Sequence, residues 1–130
     1  MKTIEQLREF FRADRFATEM GAVITACGEE GATVEMTAQE QHLNAAGTVQ
    51  GGALFTLADF AFAVAANAGG VLTVSLQNSI SFLHPARPGR LRAEARRISE
   101  TRRTCCYEVS VTDESGREAA RMTVVGYRKG

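Results

Sequence analysis

The chain has 130 residues, of which 15 are basic and 15 acidic, so its formal net charge is zero. This length has room for one domain over residues 1–130, and a neutral chain lacks the excess of Lys and Arg that is typical of nucleic-acid binders. Hydrophobic residues make up 45% and charged residues 23%, a balance that excludes a disordered chain.

Membrane, secreted and metal-binding proteins are disfavoured as well. No stretch reaches about 18 uncharged apolar residues, so no membrane span is expected, and Glu5 falls where the apolar run of a signal peptide would start. Three cysteines are too few for a disulfide scaffold, and their odd number indicates reduced thiols. No C-x-x-C or H-E-x-x-H spacing occurs. We therefore expect a cytoplasmic protein without a metal site, a membrane partner or a nucleic-acid partner.

The first predicted elements are a helix and a hairpin. Residues 3–18 carry apolar side chains near helical spacing and Thr3 is a candidate N-cap, so a single amphipathic helix is predicted there. Two short β-type runs follow at residues 22–27 and 32–36, and the loop between them is bracketed by glycines, which predicts a hairpin. Residues 39–50 are polar and irregular.

A second helix, predicted from Gly51 to Ala68, has a different character. Of residues 53–68, 13 of 16 are apolar, and a helix-stopping Gly-Gly pair follows. A helix that is apolar almost all round must be buried on nearly all sides.

The remaining chain is predicted to form four strands joined by short turns. Residues 72–83 alternate, which predicts one polar face of Thr73, Ser75, Gln77, Ser79 and Ser81 opposite an apolar face of Leu72, Val74, Leu76, Ile80 and Phe82. An antiparallel sheet must cover one of its faces, and only the 51–68 helix is apolar enough to cover it. The predicted fold is therefore α+β, a curved antiparallel sheet wrapped around one long central helix, with an N-terminal helix.

Asp59 is the one acidic residue of the apolar helix. Burying an isolated carboxylate is costly unless it is paired or its pKa shifts, so Asp59 either reaches solvent or a partner chain, or is a functional group. Residues three and four positions apart share its helix face. This face carries the polar and small side chains of the helix, which predicts a cleft along it. Its residues are Gly52, Thr56, Asp59, Ala63 and Asn67.

Gly51 and Gly52 begin the same helix. They form either a plain loop-to-helix turn or a site where an acyl oxygen approaches free backbone N–H groups. The positive end of the helix dipole would favour the developing negative charge, as in an oxyanion hole. Asp59 lies about 12 Å further along the axis. A carbonyl group bridges that gap only if the substrate spans part of it or if another chain shapes the site.

Residues 42–70, HLNAAGTVQGGALFTLADFAFAVAANAGG, resemble the signature of hotdog-fold thioesterases of the phenylacetic-acid-degradation (PaaI-type) branch. That family reads approximately H/M-L-N-x-x-G-x-x-H-G-G-x-x-F-x-L-A-D-x-A-F-A-x-A-x-N. The matching positions are Leu43, Asn44, Gly47, Gly51, Gly52, Phe55, Leu57, Ala58, Asp59, Ala61, Phe62, Ala63 and Asn67. The resemblance covers essentially the whole chain and implies a hotdog-fold acyl-CoA thioesterase, with coenzyme A as part of the substrate and no further cofactor.

The resemblance also implies roles for individual residues. Asp59 matches the catalytic carboxylate, which acts as general base for water or as direct nucleophile, and Gly51 matches the glycine whose N–H polarises the thioester carbonyl. Asn44 matches a residue that orients the carboxylate or the water. Ser75 resembles a hydroxyl supplied by the neighbouring subunit. In this family the active site lies at a dimer interface, so a homodimer or homotetramer is expected.

Gln50 departs from the family, which has histidine at this position. Glutamine can hydrogen-bond a carbonyl or hold the loop, but it does not titrate near neutrality. Because a CoA thiolate is a good leaving group, we expect the hydrogen bond to be the role that matters here.

An arginine cluster follows the HPARPG turn, since seven of the 13 Arg lie between residues 87 and 103. It is either the solvated face of a hairpin, with Glu94 and Glu100 as partners, or a source of ligands for the phosphates of coenzyme A. Arg87 and Arg90, beside the turn, are the candidates for the second role.

The expected substrate is an aryl-acetyl-CoA or a related thioester. The alternative is a non-catalytic protein that binds acyl-CoA on the same fold. A hotdog hydratase or dehydratase, which resembles a D-x-x-x-x-H pattern, is disfavoured because Val64 stands five residues after Asp59.

Overall fold

The computed structural model describes all 130 residues. Its helices are α1 (Ile4–Phe11), α2 (Arg15–Met20) and α3 (Gly51–Asn67), and a 3-10 turn covers Glu40–His42. Its strands are β1 (Val23–Cys27), β2 (Gly31–Ala38), β3 (Thr73–Phe82), β4 (Gly89–Glu100), β5 (Thr104–Asp113) and β6 (Glu118–Arg128). None of these helices combines the length and the hydropathy that crossing a membrane requires.

The six strands form one antiparallel sheet in the order β1-β2-β4-β5-β6-β3. α3 packs across this sheet, mainly on β2, β4, β5 and β3. A core of 31 buried residues fills the space between them. Within α3, Leu57, Ala58 and Ala61 are completely inaccessible to solvent. The predicted α+β architecture, with a sheet around one central helix, is confirmed.

The N-terminal segment is two helices, and the prediction of a single helix over residues 3–18 was wrong. Thr3 caps α1 as predicted, because its hydroxyl accepts a backbone N–H of the first turn. Asp14 then caps α2 in the same way. Phe16 lies five residues after Phe11, out of phase with the buried stripe of α1, and is 76% exposed. The helix therefore ends where its apolar period ends and a new cap is available.

β3 does not keep the strict alternation predicted for residues 72–83. Its pairing with β6 shifts at Leu76, which is the extra residue of a β-bulge. Before the bulge, Thr73 and Ser75 pair with the core-facing positions of β6. After the bulge, Asn78 and Ile80 do so. Each predicted face is thus divided at Leu76, and both odd-numbered and even-numbered residues reach the side of the sheet that faces α3.

The C-terminal end of α3 is tied to the start of β3 by Asn67. Its side-chain amide donates to the carbonyl of Thr73 and accepts the Thr73 N–H. Asn67 is buried, so the cleft predicted along the helix face does not extend to this residue. Its role here is to satisfy buried polar groups where the helix and the strand meet.

Candidate active site

Asp59 lies near the middle of α3, half-buried, on the side that faces β3. Its Oδ1 accepts a hydrogen bond of 2.9 Å from Asn78 Nδ2, whereas Oδ2 accepts none from this chain. Burial raises the pKa of Asp59, the hydrogen bond from Asn78 lowers it, and the charge of Asp14 raises it. A carboxylate with one oxygen held and the other free is suited to take a proton from water or to attack a carbonyl.

Asn78 belongs to this site but was not predicted from the sequence. The sequence does contain a sign of its role, because Asn78 is the one polar residue at the even-numbered positions from Leu72 to Phe82. Strict alternation placed it on the apolar face, where a polar side chain needs a partner. The partner, Asp59, is 19 residues away in sequence, and no local pattern connects the two.

The start of α3 presents a free backbone donor. Gln50 is the N-cap, and its side-chain Oε1 accepts the Gly52 N–H. The N–H of Gly51 donates to no group of the chain. It therefore lies unpaired at the positive end of the helix dipole, which suits a developing oxyanion. A side chain at this position would crowd the exposed Phe82, since a Cβ on Gly51 would lie 3.1 Å from the ring.

Two clefts flank this helix terminus. The α2–α3 cleft, of about 690 Å³, is lined by Phe16, Glu19, Met20, Gln41, His42, Leu43, Gln50, Gly52, Ala53, Phe55 and Thr56. The β3-turn cleft, of about 360 Å³, is lined by Asn44, Thr48, Val49, Gly51, Leu54, Phe82, Leu83, His84, Pro85 and Ala86. Gln50 and Gly51 thus stand between two concave surfaces, one on each side of the first turn of α3.

Asn44 and Thr56 line these clefts, whereas Ser75 lines neither of them. The side chain of Asn44 is engaged in its own loop, where it accepts the N–H groups of residues 46 and 48. The Thr56 hydroxyl donates to the carbonyl of Gly52, at a distance of 2.8 Å. Ser75 is exposed on β3. Within one chain, none of them forms a hydrogen bond with Asp59, and Asp59 lines neither cleft.

Four of the seven arginines in the cluster form ion pairs. Arg92 pairs with Glu94 and Arg97 with Glu100, the two partners expected from the sequence. Arg90 lies 2.5 Å from a carboxylate oxygen of Glu35 on β2. Arg87 differs, because it is exposed in the turn next to the β3-turn cleft and its guanidinium forms no ion pair. Of the two candidate phosphate ligands, Arg87 is the one with a free guanidinium.

A family model described as the thioesterase superfamily matches residues 46–120, more than half of the chain, including Gly51 and Asp59. The chain belongs to the thioesterase superfamily. A relative of this thioesterase, acyl-coenzyme A thioesterase PaaI of Escherichia coli (strain K12), is 31% identical over 130 residues, which cover 99% of this chain and 93% of that protein.

Solved structures agree with this assignment. The E. coli PaaI protein superposes on this thioesterase with a TM-score of 0.90 at 32% identity, covering 94% of this chain and 89% of that one. A mutant of the phenylacetic acid degradation protein PaaI from Thermus thermophilus gives a TM-score of 0.83 at 34% identity, covering 88% and 99%. A Streptococcus mutans UA159 protein bound to acetyl-CoA gives 0.80 at 26% identity, covering 85% and 90%. The predicted hotdog fold, the PaaI-type branch and the thioester hydrolase activity are confirmed.

Proposed function

We propose that this thioesterase hydrolyses acyl-CoA thioesters whose acyl group is apolar, of the aryl-acetyl type, at a site that two copies of the chain complete. The observation that carries the proposal is the unpaired Gly51 N–H, set between a largely apolar cleft and a second cleft that is lined by Ala86, the chain neighbour of the free Arg87. The helices and the sheet share a single core, which supports one catalytic domain over residues 1–130.

The α2–α3 cleft suits the acyl group. Its apolar lining includes Phe16, Met20 and Phe55, and it contains no Lys or Arg. Phe16 is 76% exposed, so its ring is accessible to an apolar ligand in the cleft. Glu19 lies at this cleft, and its charge opposes the binding of an acyl group that carries a carboxylate.

The β3-turn cleft suits the coenzyme A part of the substrate. Both Gly51 and Ala86 line it, and Arg87 follows Ala86 in the chain. Arginine binds phosphate oxygens through a planar, permanently charged fork, and Arg87 is free to do so. The acetyl-CoA bound to the Streptococcus mutans neighbour and the name of the E. coli relative support this ligand class.

The chemistry follows from the placement of these groups. The Gly51 N–H donates to the thioester oxygen, and the free side-chain amide of Gln50 offers a second donor without titrating. Asp59 takes a proton from water as the water oxygen bonds to the carbonyl carbon, or its own oxygen attacks first and water then hydrolyses the anhydride. In either case the C–S bond breaks with its electron pair on the CoA sulfur, the proton taken from water passes to that thiolate or to solvent, and the products are the free acid and CoA.

Asp59 and Gly51 do not converge within one chain, because eight residues of the same straight helix separate them by about 12 Å. β3 offers a way to bring in a second copy. It is an unpaired edge strand of 10 residues, and its Val74 and Leu76 are 42% and 63% exposed. Such an edge pairs readily with another strand. We therefore place the active sites at the interface of a homodimer, alone or within a dimer of dimers.

A thiol-release assay across four substrates tests the proposal. Phenylacetyl-CoA should give the highest kcat/KM, acetyl-CoA and palmitoyl-CoA lower values, and succinyl-CoA the lowest, because its carboxylate enters a cleft without a cation. Asp59→Asn, measured with phenylacetyl-CoA, should lower kcat about 10²–10⁴-fold, as expected for loss of an acid–base group.

Three results would count against the proposal. Equal rates with phenylacetyl-CoA and succinyl-CoA would refute the assignment of the acyl cleft. Full activity of Asp59→Asn would refute the role of the carboxylate. Tight binding of acyl-CoA without thiol release over hours would favour the non-catalytic alternative.

A further inference from the structure

We infer that Asn78 is a positioning residue, which holds Oδ1 of Asp59 against β3 so that Oδ2 is the oxygen that acts on the substrate or water. The inference rests on the proposed role of Asp59 and adds a residue that the family signature does not contain. The contact joins the amide Nδ2 of Asn78 to Oδ1 of Asp59 at 2.9 Å. The two side chains come from different elements, α3 and β3.

The bulge at Leu76 is what allows β3 to supply this amide. In an unbroken strand, residues of one parity face one side, so a strand that turns Thr73 and Ser75 toward α3 would turn Asn78 away from it. The extra residue shifts the parity between Ser75 and Asn78, and both then face α3. The strand can therefore place Thr73 in its buried hydrogen bonds with Asn67. At the same time it presents Asn78 to Asp59.

The surroundings leave Asn78 as the only nearby group that stabilises the ionised carboxylate. Nδ2 of Asn78 also touches the sulfur of Met122 on β6, at 3.3 Å, and this group does not titrate. The negative charge of Asp14, at the start of α2, raises the pKa of Asp59 and so acts in the opposite direction. No Lys, Arg or His forms an ion pair with Asp59. Asn78 thus both fixes the orientation of the carboxylate and favours its charged form.

The experiment replaces Asn78 by Leu, which has a similar size but no donor, and compares it with Gln77→Leu on the opposite face of the same strand. Without the hydrogen bond, the pKa of Asp59 rises further. The acid limb, by which we mean the rise of kcat/KM for phenylacetyl-CoA on the acidic side of its pH profile, should therefore move to higher pH. The misoriented carboxylate should lower kcat roughly ten- to a hundredfold, with KM little changed. Gln77→Leu should leave the limb and kcat at wild-type values.

A second substitution, Asn78→Asp, covers the case in which the leucine variant does not fold. It keeps the shape and adds a negative charge beside Asp59, so it should move the acid limb in the same direction. An unchanged acid limb in a folded Asn78 variant would overturn the inference. If Asp59→Asn abolishes activity while the Asn78 variants match the wild type, the proposed function stands and the positioning role alone fails. If Asp59→Asn is fully active, the proposed function fails first.

Discussion

The Gly51 N–H and the Asp59 carboxylate are single groups on one helix, and both stood out in the sequence. A glycine pair at a helix start and one acid in an apolar run are local departures from their surroundings, so pattern and family resemblance were enough to single them out as candidates. Asn78 was not found, because its role depends on a bulge and on a contact across 19 positions. The cap formed by Gln50 was not predicted either, although a loop-holding role was.

Gly51→Pro removes the proposed oxyanion donor without removing the helix start. Gly51 is the first residue of α3, where proline is tolerated, and Gln50 before it has φ −64° and ψ 138°, which a residue preceding proline accepts. We expect kcat to fall roughly 10²–10³-fold, as for loss of one oxyanion donor. The assay is thiol release from phenylacetyl-CoA, with thermal unfolding to confirm an intact fold.

Gly51→Ala is the matched control. It adds the same Cβ, at 3.1 Å from the Phe82 ring, but keeps the N–H, so its kcat should stay within a few-fold of wild type. Equal losses in the alanine and proline variants would show that crowding, and not the missing donor, lowers the rate.

The strands and helices differ in how far the sequence determined them. α3 and the hairpin follow from composition and glycine-bracketed turns. The break between α1 and α2 was missed because Asp14 competes as a cap within an otherwise helical segment. The face assignment of β3 was wrong because strand pairing, not local alternation, sets where a bulge falls. The two failures have different causes, because the Asp14 cap is a local contact with the Ala17 N–H, whereas the bulge depends on the pairing of β3 with β6.

The two edge strands of the sheet provide a test of the interface. Leu76→Lys places a charge on the exposed edge of β3, where it opposes strand pairing, and should convert the dimer to a monomer in sedimentation velocity, with loss of thiol release. Val23→Lys makes the same change on β1, at a residue that is 53% exposed, and should leave both the assembly and the activity unchanged. A Leu76→Lys protein that remains dimeric and active would exclude β3 as the interface.

The molecule as a whole is a small neutral protein whose fold was predicted from the sequence, and whose expected assembly into a homodimer or homotetramer stays a prediction. The sheet, the central helix and the core follow from the apolar content of α3 and the alternating strands. The separation of Asp59 and Gly51 along one helix also follows from the sequence. In the proposed homodimer, the second copy supplies the groups that close this gap.

Heterodimers of two inactive variants test this arrangement most directly. Asp59→Asn and Gly51→Pro chains, carrying different affinity tags, are co-expressed and the mixed dimer is purified. If each site combines Asp59 of one copy with Gly51 of the other, one of the two sites is intact and thiol release returns to about half the wild-type rate. The reciprocal control pairs a wild-type chain with a chain carrying both substitutions, and should be inactive. The opposite pattern, an inactive mixed dimer and a half-active control, would show that each chain acts alone.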